Sequence, residues 1–159
     1  MRCKERLEAY LREHRVPFEE QKHARVFSAQ KIAESEHVSN KEVAKVVIAL
    51  ADSKMISLVL PASFHVDFDK AKRLLGAKEV RQAHEPEFVA TFPDCEVGTM
   101  PPFGNLYGLP VYVEKSLTEQ EMIIFPVGTY TDTMSVKYSD FERLVQPTVG
   151  EFAWTKLLA

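Results

Sequence analysis

The stretch that decides the fold spans residues 43–60: Val43-Ala44-Lys45-Val46-Val47-Ile48-Ala49-Leu50-Ala51-Asp52-Ser53-Lys54-Met55-Ile56-Ser57-Leu58-Val59-Leu60. Two apolar runs, rich in β-branched residues, flank the short polar segment Asp52-Ser53-Lys54. This pattern is typical of two strands joined by a tight turn. Because a tight turn joins strands that run in opposite directions, the sequence predicts at least one antiparallel pair.

Helix and strand patterns alternate irregularly outward from this hairpin. The predicted helices are Arg2–His14, Ser28–Glu36 with Ser28 as its N-cap, Asp69–Leu75 closed by Gly76, Pro86–Phe92, and a helix from the capping box Ser139-Asp140-Phe141-Glu142 to Val145. The predicted strands are Phe18–Lys22, Val43–Ala51, Met55–Leu60, Pro110–Val113, Met122–Val127 and Thr133–Tyr138. We therefore expect one α+β domain over residues 1–159, with a central mixed, mostly antiparallel sheet flanked by helices.

Composition narrows the class of protein. The chain has 159 residues, of which 45% are hydrophobic and 27% are charged, as in ordinary globular proteins. No apolar run is long enough to cross a bilayer, and the charged N-terminus does not resemble a signal peptide. We therefore expect a cytoplasmic protein with no membrane partner.

Charge is divided unevenly along the chain. The net charge is −3, but residues 1–81 hold 16 Lys and Arg against 12 Asp and Glu, whereas residues 82–159 hold 4 against 11. One interpretation is ordinary solvated surface charge. The other is a basic face that meets a polyanion.

Cysteines and histidines give no recognisable cluster for a metal or a catalytic triad. Two cysteines, Cys3 and Cys95, make no disulfide framework and no CxxC motif. We interpret Cys95 as a small apolar filler rather than a nucleophile, because no basic residue neighbours it in the sequence. The sequence thus predicts no metal and no cofactor.

A rigid loop follows in the segment Gly98-Thr99-Met100-Pro101-Pro102-Phe103-Gly104. Prolines restrict φ and glycines free it, so this segment is neither helix interior nor central strand. We expect an exposed, stiff loop, off the core, with the Phe103 ring at its tip. Rigid loops between regular elements are where sites are often built.

Lys45 is a lone charge within an apolar strand. A regular pleat places it on the same face as Val43 and Val47. It can be an edge lysine whose ammonium reaches water. Alternatively, it is a cation directed into a pocket, where it binds phosphate or stabilises negative charge.

A polar turn, Gly128-Thr129-Tyr130-Thr131-Asp132-Thr133, lies between two predicted strands. It is either ordinary loop chemistry or a turn that faces a substrate. The second interpretation requires the turn to lie beside the proline loop.

Taken together, these segments resemble the YbaK/prolyl-tRNA-synthetase-associated editing domain family of free-standing aminoacyl-tRNA deacylases. The resemblance runs from about Leu7 to Phe152 and is carried by Glu42–Val47, Leu58–Ala62, Gly98–Gly104, Gly108–Val113 and Phe125–Asp132. It implies an α+β fold and hydrolysis of the ester that joins a wrong amino acid to the 3′ end of a tRNA, with a synthetase as a further partner. Where the family turn often reads Gly-x-His, this chain has Gly128, Thr129 and Tyr130.

The resemblance also implies roles for residues. Lys45 is the hallmark functional residue and would hold polar groups of the substrate. The backbone N–H groups of Gly98, Thr99 and Met100 are candidate oxyanion donors, whereas Pro101 and Pro102 can only shape the loop. Val26, Phe27, Met100 and Phe103 are expected pocket walls, and Gly128, Thr129 and Tyr130 are expected to face the substrate. Two other classes stay open: a non-catalytic module that binds aminoacyl-tRNA or a synthetase, and a regulator that binds a small molecule or peptide.

Overall fold

A computed structural model describes residues 2–22 and 42–154. The predicted helix over residues 28–36 and the expected walls Val26 and Phe27 lie outside these ranges. The α-helices are α1 (Cys3–Glu13), α2 (Phe68–Leu75), α3 (Glu85–Phe88) and α4 (Tyr138–Val145). None of the helices in the described ranges is long and apolar enough to cross a membrane.

Eight strands make up the sheets of the described residues. They are β1 (Glu19–Lys22), β2 (Ala44–Ala51), β3 (Lys54–Pro61), β4 (Val80–Gln82), β5 (Val111–Glu114), β6 (Met122–Pro126), β7 (Asp132–Lys137) and β8 (Thr148–Gly150). The predicted hairpin is confirmed, since β2 pairs antiparallel with β3 from Ala44–Pro61 to Ala51–Lys54. Asp52 and Ser53 both have positive φ, as primed hairpin turns require.

The strands divide into two sheets rather than one central sheet. The larger is mixed, with strand order β4-β2-β3-β5-β8; its first three strands are antiparallel to one another, and β5 and β8 join in parallel. The smaller sheet, β1-β7-β6, is antiparallel throughout. The α+β class with mostly antiparallel strands is confirmed.

A single parallel bridge between Val43 and Ile124 joins the two sheets. The Ile124 N–H donates to the Glu42 carbonyl over 2.9 Å, which continues the contact by one residue. We call this contact the sheet junction. Because the bridge is parallel, β2 and β6 lie beside each other and run in the same direction. The residues that follow Val43 and those that follow Ile124 therefore extend towards the same end of the molecule.

Apolar side chains pack on both faces of β2. Ala49 and Ala51 face a core cluster that includes Leu58 and Leu60 of β3 and Ala71 of α2. The opposite face presents Ile48, which packs with Phe88, Phe92, Met100 and Ala83. Burial on both faces explains why the β2 sequence is a continuous apolar run rather than an alternating one.

Helix ends confirm one prediction and correct another. Gly76 closes α2 with φ of 65°, as expected. The predicted capping box at Ser139 is wrong, because α4 begins at Tyr138 and its N-cap, Lys137, makes no side-chain cap. The chain passes from β7 directly into the helix because the burial of Tyr138 and Phe141 fixes its first turn.

Strands β4 and β8, three residues each, were not predicted.

Candidate functional site

The proline loop is mostly buried, which corrects the expectation that it lies off the core. Only Gly98 is exposed, with φ of 85°, and the next six residues, 99–104, are all buried. The stiffness given by Pro101 and Pro102 therefore serves to fix a buried segment against the body of the domain. One end of the loop, at Gly98, meets solvent.

Phe103 is a core residue and not the tip of a loop. Its side chain is fully buried and lies 5.4 Å from Phe141 and 5.8 Å from Phe125, measured between ring centroids. Aromatic rings at these separations and tilts pack favourably. The expectation that Phe103 forms a pocket wall is therefore wrong, and its role is to anchor the loop.

Thr99 is also misassigned by the sequence argument. Its N–H donates to the Glu96 carbonyl over 3.1 Å, and its hydroxyl donates to the same oxygen over 2.6 Å. The side chain is fully buried. Because its N–H is already engaged in a turn, Thr99 is unsuited as an oxyanion donor.

Met100 packs its side chain into the cluster on the Ile48 face of β2. Only 6% of its surface is exposed, so Met100 is a core residue, whereas the sequence predicted a pocket wall. Its N–H remains a candidate donor. Among the described residues, neither the Gly98 N–H nor the Met100 N–H has a hydrogen-bond acceptor.

The polar turn lies directly against the proline loop, as the substrate-facing interpretation required. The Gly128 N–H donates to the Thr99 carbonyl over 2.9 Å, and the Glu96 N–H donates to the Gly128 carbonyl over 2.9 Å. The Tyr130 hydroxyl donates to the Val97 carbonyl. Two backbone bonds and one side-chain bond therefore hold the turn and the loop as one unit, which we call the loop–turn unit (residues 96–100 and 128–130).

Gly98 sits under the Tyr130 ring. A Cβ at Gly98 would approach the Tyr130 hydroxyl oxygen to 3.1 Å, closer than nearly all real contacts of this kind. The positive φ of Gly98 independently disfavours any residue with a side chain. The backbone conformation thus favours glycine at this position, and a side chain there would also have to displace the Tyr130 ring slightly.

Thr129 points to the other side of the turn, towards a charged cluster. Its hydroxyl donates to Asp132 Oδ2 over 2.6 Å, and Lys4 Nζ lies 3.3 Å from Asp132 Oδ1. Burial raises the pKa of Asp132, but the Thr129 hydroxyl and the Lys4 ammonium outweigh it and lower that pKa overall. Thr129 therefore stabilises the turn and ties it to α1.

Lys45 lies in β2 as predicted and is half-buried. Its cross-strand partner is Leu60, so strand pairing places it on the face opposite to Ile48 and Met100. Burial lowers the pKa of the Lys45 ammonium. Within the described part of the chain no carboxylate forms an ion pair with it, and no direct contact joins it to the loop–turn unit.

The sheet junction brings Lys45 and the loop–turn unit to the same end of the molecule. Lys45 follows the Val43 bridge by two residues, as Pro126 follows Ile124, and the two strands run in parallel. Gly128 comes two residues after Pro126. The structure thus unites the Gly98 loop with the Tyr130 turn, whereas Lys45 lies across the junction, on the face of β2 opposite to Met100.

The sequence argument missed one group of residues near this unit. Cys3, at the start of α1, packs so closely on Gly128 that a Cβ there would lie 2.8 Å from the Cys3 Cβ. The Asp94 carbonyl oxygen also lies beside Gly128, and the side chains of Asp94, Cys95 and Tyr107 contact one another. No local pattern could have revealed this group, because its members come from three distant segments.

Comparisons with known proteins show the family and the fold of this chain. The sequence model of the aminoacyl-tRNA editing domain family matches residues 23–144. No curated protein sequence matches the chain significantly. One similar solved structure, hypothetical protein APE2540, has a TM-score of 0.84 at 17% identity over 93% of this chain and 99% of its own. Another, a proposed trans-editing enzyme for prolyl-tRNA synthetase, has a TM-score of 0.83 at 18% identity over 96% of this chain and 97% of its own.

This chain belongs to the aminoacyl-tRNA editing domain family, since the family model spans most of its length. The two solved structures share less than a fifth of their aligned residues with this chain, so their similarity establishes the fold alone. They agree with the α+β architecture that the hairpin predicted.

Proposed function

We propose that this protein hydrolyses, in trans, the ester bond between a wrong amino acid and the 3′ end of its tRNA. The observation that carries the proposal is the loop–turn unit, in which an exposed glycine stands beside a fixed phenol in a chain of the editing domain family. An aminoacyl ester is already activated. Its hydrolysis therefore needs positioning, a placed water and stabilisation of the oxyanion, rather than a nucleophilic side chain.

The oxyanion donors proposed are the Gly98 and Met100 amides. Gly98 is the exposed residue of the loop, and a backbone N–H fixed by surrounding structure needs no reorganisation when charge develops on the carbonyl oxygen. The buried Thr99 between them, with both of its donors bonded to Glu96, fixes the backbone path of the loop. Pro101 and Pro102 restrict the same path further on.

Lys45 would hold the polar groups of the substrate. Its ammonium has no carboxylate partner among the described residues, and burial makes an unpaired charge costly. A phosphate or another anionic group of the tRNA terminus would offset that cost. The proposal therefore assigns an anionic group of the tRNA 3′ end to Lys45 and the ester carbonyl to Gly98.

Tyr130 takes the position of the histidine that is common in the family turn. A phenol is a poor base near neutral pH, so proton abstraction by this residue is not part of the proposal. Its hydroxyl instead secures the Val97 carbonyl and thereby the orientation of the peptide that leads to Gly98.

Selectivity for the amino acid would arise from the size of the pocket, because one methylene is worth only about 1–3 kcal/mol of discrimination. Val26 and Phe27 remain proposed walls. Contact with the body of the tRNA would use the basic N-terminal half of the chain and should weaken as salt increases.

A non-catalytic module that binds aminoacyl-tRNA is the second candidate, and the observation that favours it is Tyr130 in place of histidine. A panel of mischarged tRNAs, assayed for both amino acid release and binding, separates the candidates. Release marks the deacylase and binding without release marks the module. If neither release nor binding is seen, the remaining class is a regulator that binds a small molecule or peptide.

A further inference from the structure

The two cysteines of the chain meet where α1 contacts the segment that leads to Gly98. Cys3 is the first residue of α1 and is buried, and Cys95 is half-buried. A Cβ at Gly128 would lie 3.2 Å from Cys3 Sγ and 3.7 Å from the carbonyl oxygen of Asp94, the residue before Cys95, so the two cysteines lie beside the same glycine. The Cys95 Sγ lies 3.4 Å from the Tyr107 hydroxyl oxygen. Both cysteines also line an open cleft of about 570 Å³, in which Cys95 is partly exposed and Cys3 is 1% exposed.

The surroundings of Cys3 favour its thiolate. The first residue of a helix lies among unpaired N–H groups and the positive end of the helix dipole, which stabilise an anion. The Cys95 thiol, ahead of the Tyr107 hydroxyl and Arg6, lowers the pKa of Cys3 despite its burial. Cys3 therefore has the character of an attacking sulfur.

Cys95 has the complementary character of a sulfur that retains its proton. Its interaction with Cys3 and its burial raise the pKa of the Cys95 thiol. Its Sγ lies 3.7 Å from Asp94 Oδ1, towards which it donates, and Arg6 Nη2 holds the other Asp94 oxygen at 3.4 Å. Asp94 is thus placed to receive the proton when Cys95 reacts.

We propose that Cys3 and Cys95 form a peroxide-reactive pair, which hydrogen peroxide or another small hydroperoxide converts into a reversible disulfide. The Cys3 thiolate attacks one peroxide oxygen, the O–O bond breaks, and the departing hydroxide takes up a proton to become water. Cys95 then attacks the Cys3 sulfenic acid, the S–O bond breaks, and the proton of Cys95 passes by way of Asp94 to the departing hydroxide. Two thiols and one hydrogen peroxide yield one disulfide and two waters; an organic hydroperoxide, whose alkoxide departs in place of hydroxide in the first step, yields one alcohol and one water.

The disulfide would link α1 to the loop–turn unit. Cys95 immediately precedes Glu96, whose N–H bonds to the Gly128 carbonyl, and Cys3 packs on Gly128 itself. The disulfide would therefore restrain the turn through Cys3 and the start of the loop through Cys95. The proposal does not depend on the deacylase activity, since the chemistry is that of the two thiols alone.

The test treats the reduced full-length protein with hydrogen peroxide, blocks the remaining thiols and maps peptides by mass spectrometry without reduction. Because the chain has only two cysteines, an intramolecular disulfide must join Cys3 to Cys95. We expect this cross-linked peptide pair, which dithiothreitol should separate again. The same treatment in guanidinium, where proximity is lost, should form the intramolecular bond at least about tenfold more slowly.

Single variants test the roles of the two sulfurs. Cys95→Ser should accumulate a Cys3 sulfenic acid that dimedone captures, whereas Cys3→Ser should leave Cys95 at least about tenfold less reactive. Asp94→Asn should prolong the life of the sulfenic acid before the disulfide forms. The proposal is overturned if the wild type forms no intramolecular cross-link, if it forms disulfides only between chains, or if Cys95 in Cys3→Ser reacts as fast as Cys3 in Cys95→Ser.

Discussion

The Tyr130 hydroxyl donates a hydrogen bond to the Val97 carbonyl, so a side chain of the 128–130 turn fixes the peptide group that leads to Gly98. Two backbone bonds between Gly128, Thr99 and Glu96 run beside it. The orientation of the peptide group at the exposed Gly98 therefore depends on a residue 32 positions away in the chain.

Removal of this hydroxyl should impair turnover more than folding. Tyr130→Phe keeps the ring but frees the Val97 carbonyl, so we expect kcat for deacylation to fall about tenfold, a loss of ~1.4 kcal/mol of transition-state stabilisation. Tyr138→Phe is the matched control, because the Tyr138 hydroxyl is buried without a hydrogen-bond partner among the described residues. Equal kcat values for the wild type and Tyr130→Phe would show that the hydroxyl does not position the loop.

Gly98 and Gly108 have similar backbone conformations but different surroundings, so alanine variants at the two positions distinguish backbone strain from contact with Tyr130. Gly98 and Gly108 have φ of 85° and 74°, but a Cβ would meet Tyr130 at Gly98 and nothing within 4 Å at Gly108. Alanine at either position should lower the free energy of unfolding by about 1–2 kcal/mol. Only Gly98→Ala should also lower deacylation, as measured by kcat/KM. If both variants retain full activity, the Gly98 amide does not belong to the site.

Because Met100 is buried in the core, we expect its side chain to contribute to the free energy of unfolding. Met100→Ala should lower the free energy of unfolding by about 2–5 kcal/mol, because it opens a cavity beside Ile48 and Phe92. The half-exposed Met122 offers a comparison, and Met122→Ala should cost less. Urea denaturation measures both changes. A Met100→Ala protein as stable as the wild type would contradict the packing described for the loop.

Local patterns predicted the elements that short-range forces determine. The hairpin of β2 and β3, helix α1 and the left-handed Gly76 all follow from spacing and turn chemistry within a few residues. Phe103 was misplaced because proline and glycine restrict φ but say nothing about burial. The sheet junction and the meeting of Cys3 with Cys95 were not predictable, since each depends on contacts between segments about 80 to 90 residues apart.

Stability should depend on pH through Lys45. Burial lowers the pKa of its ammonium in the folded state below the ordinary lysine value. Below the folded-state pKa the lysine is charged in both states, so the full cost of burying the charge applies. That cost declines as pH rises from the folded-state pKa to the unfolded one, because the folded protein then loses the proton first.

The variant Lys45→Met removes the charge and keeps an unbranched side chain. It should be more stable than the wild type near neutral pH, and the difference should shrink as pH rises through the stated window. Urea midpoints of both proteins at a series of pH values give this difference directly, because all other groups titrate alike in the two chains. A difference that stays constant with pH would place Lys45 in a solvated environment.

The most direct test measures amino acid release from mischarged tRNA by a small amount of purified protein, with the wild type and Lys45→Ala side by side. Lys54→Ala, at the exposed first residue of β3 in the same hairpin, is the matched control. We predict that the wild type and Lys54→Ala release many amino acids per protein molecule from at least one mischarged tRNA, and that folded Lys45→Ala is at least about tenfold slower, a loss of ~1.4 kcal/mol. Absence of release from every mischarged tRNA, or full activity in Lys45→Ala, would contradict the proposed deacylase and its site.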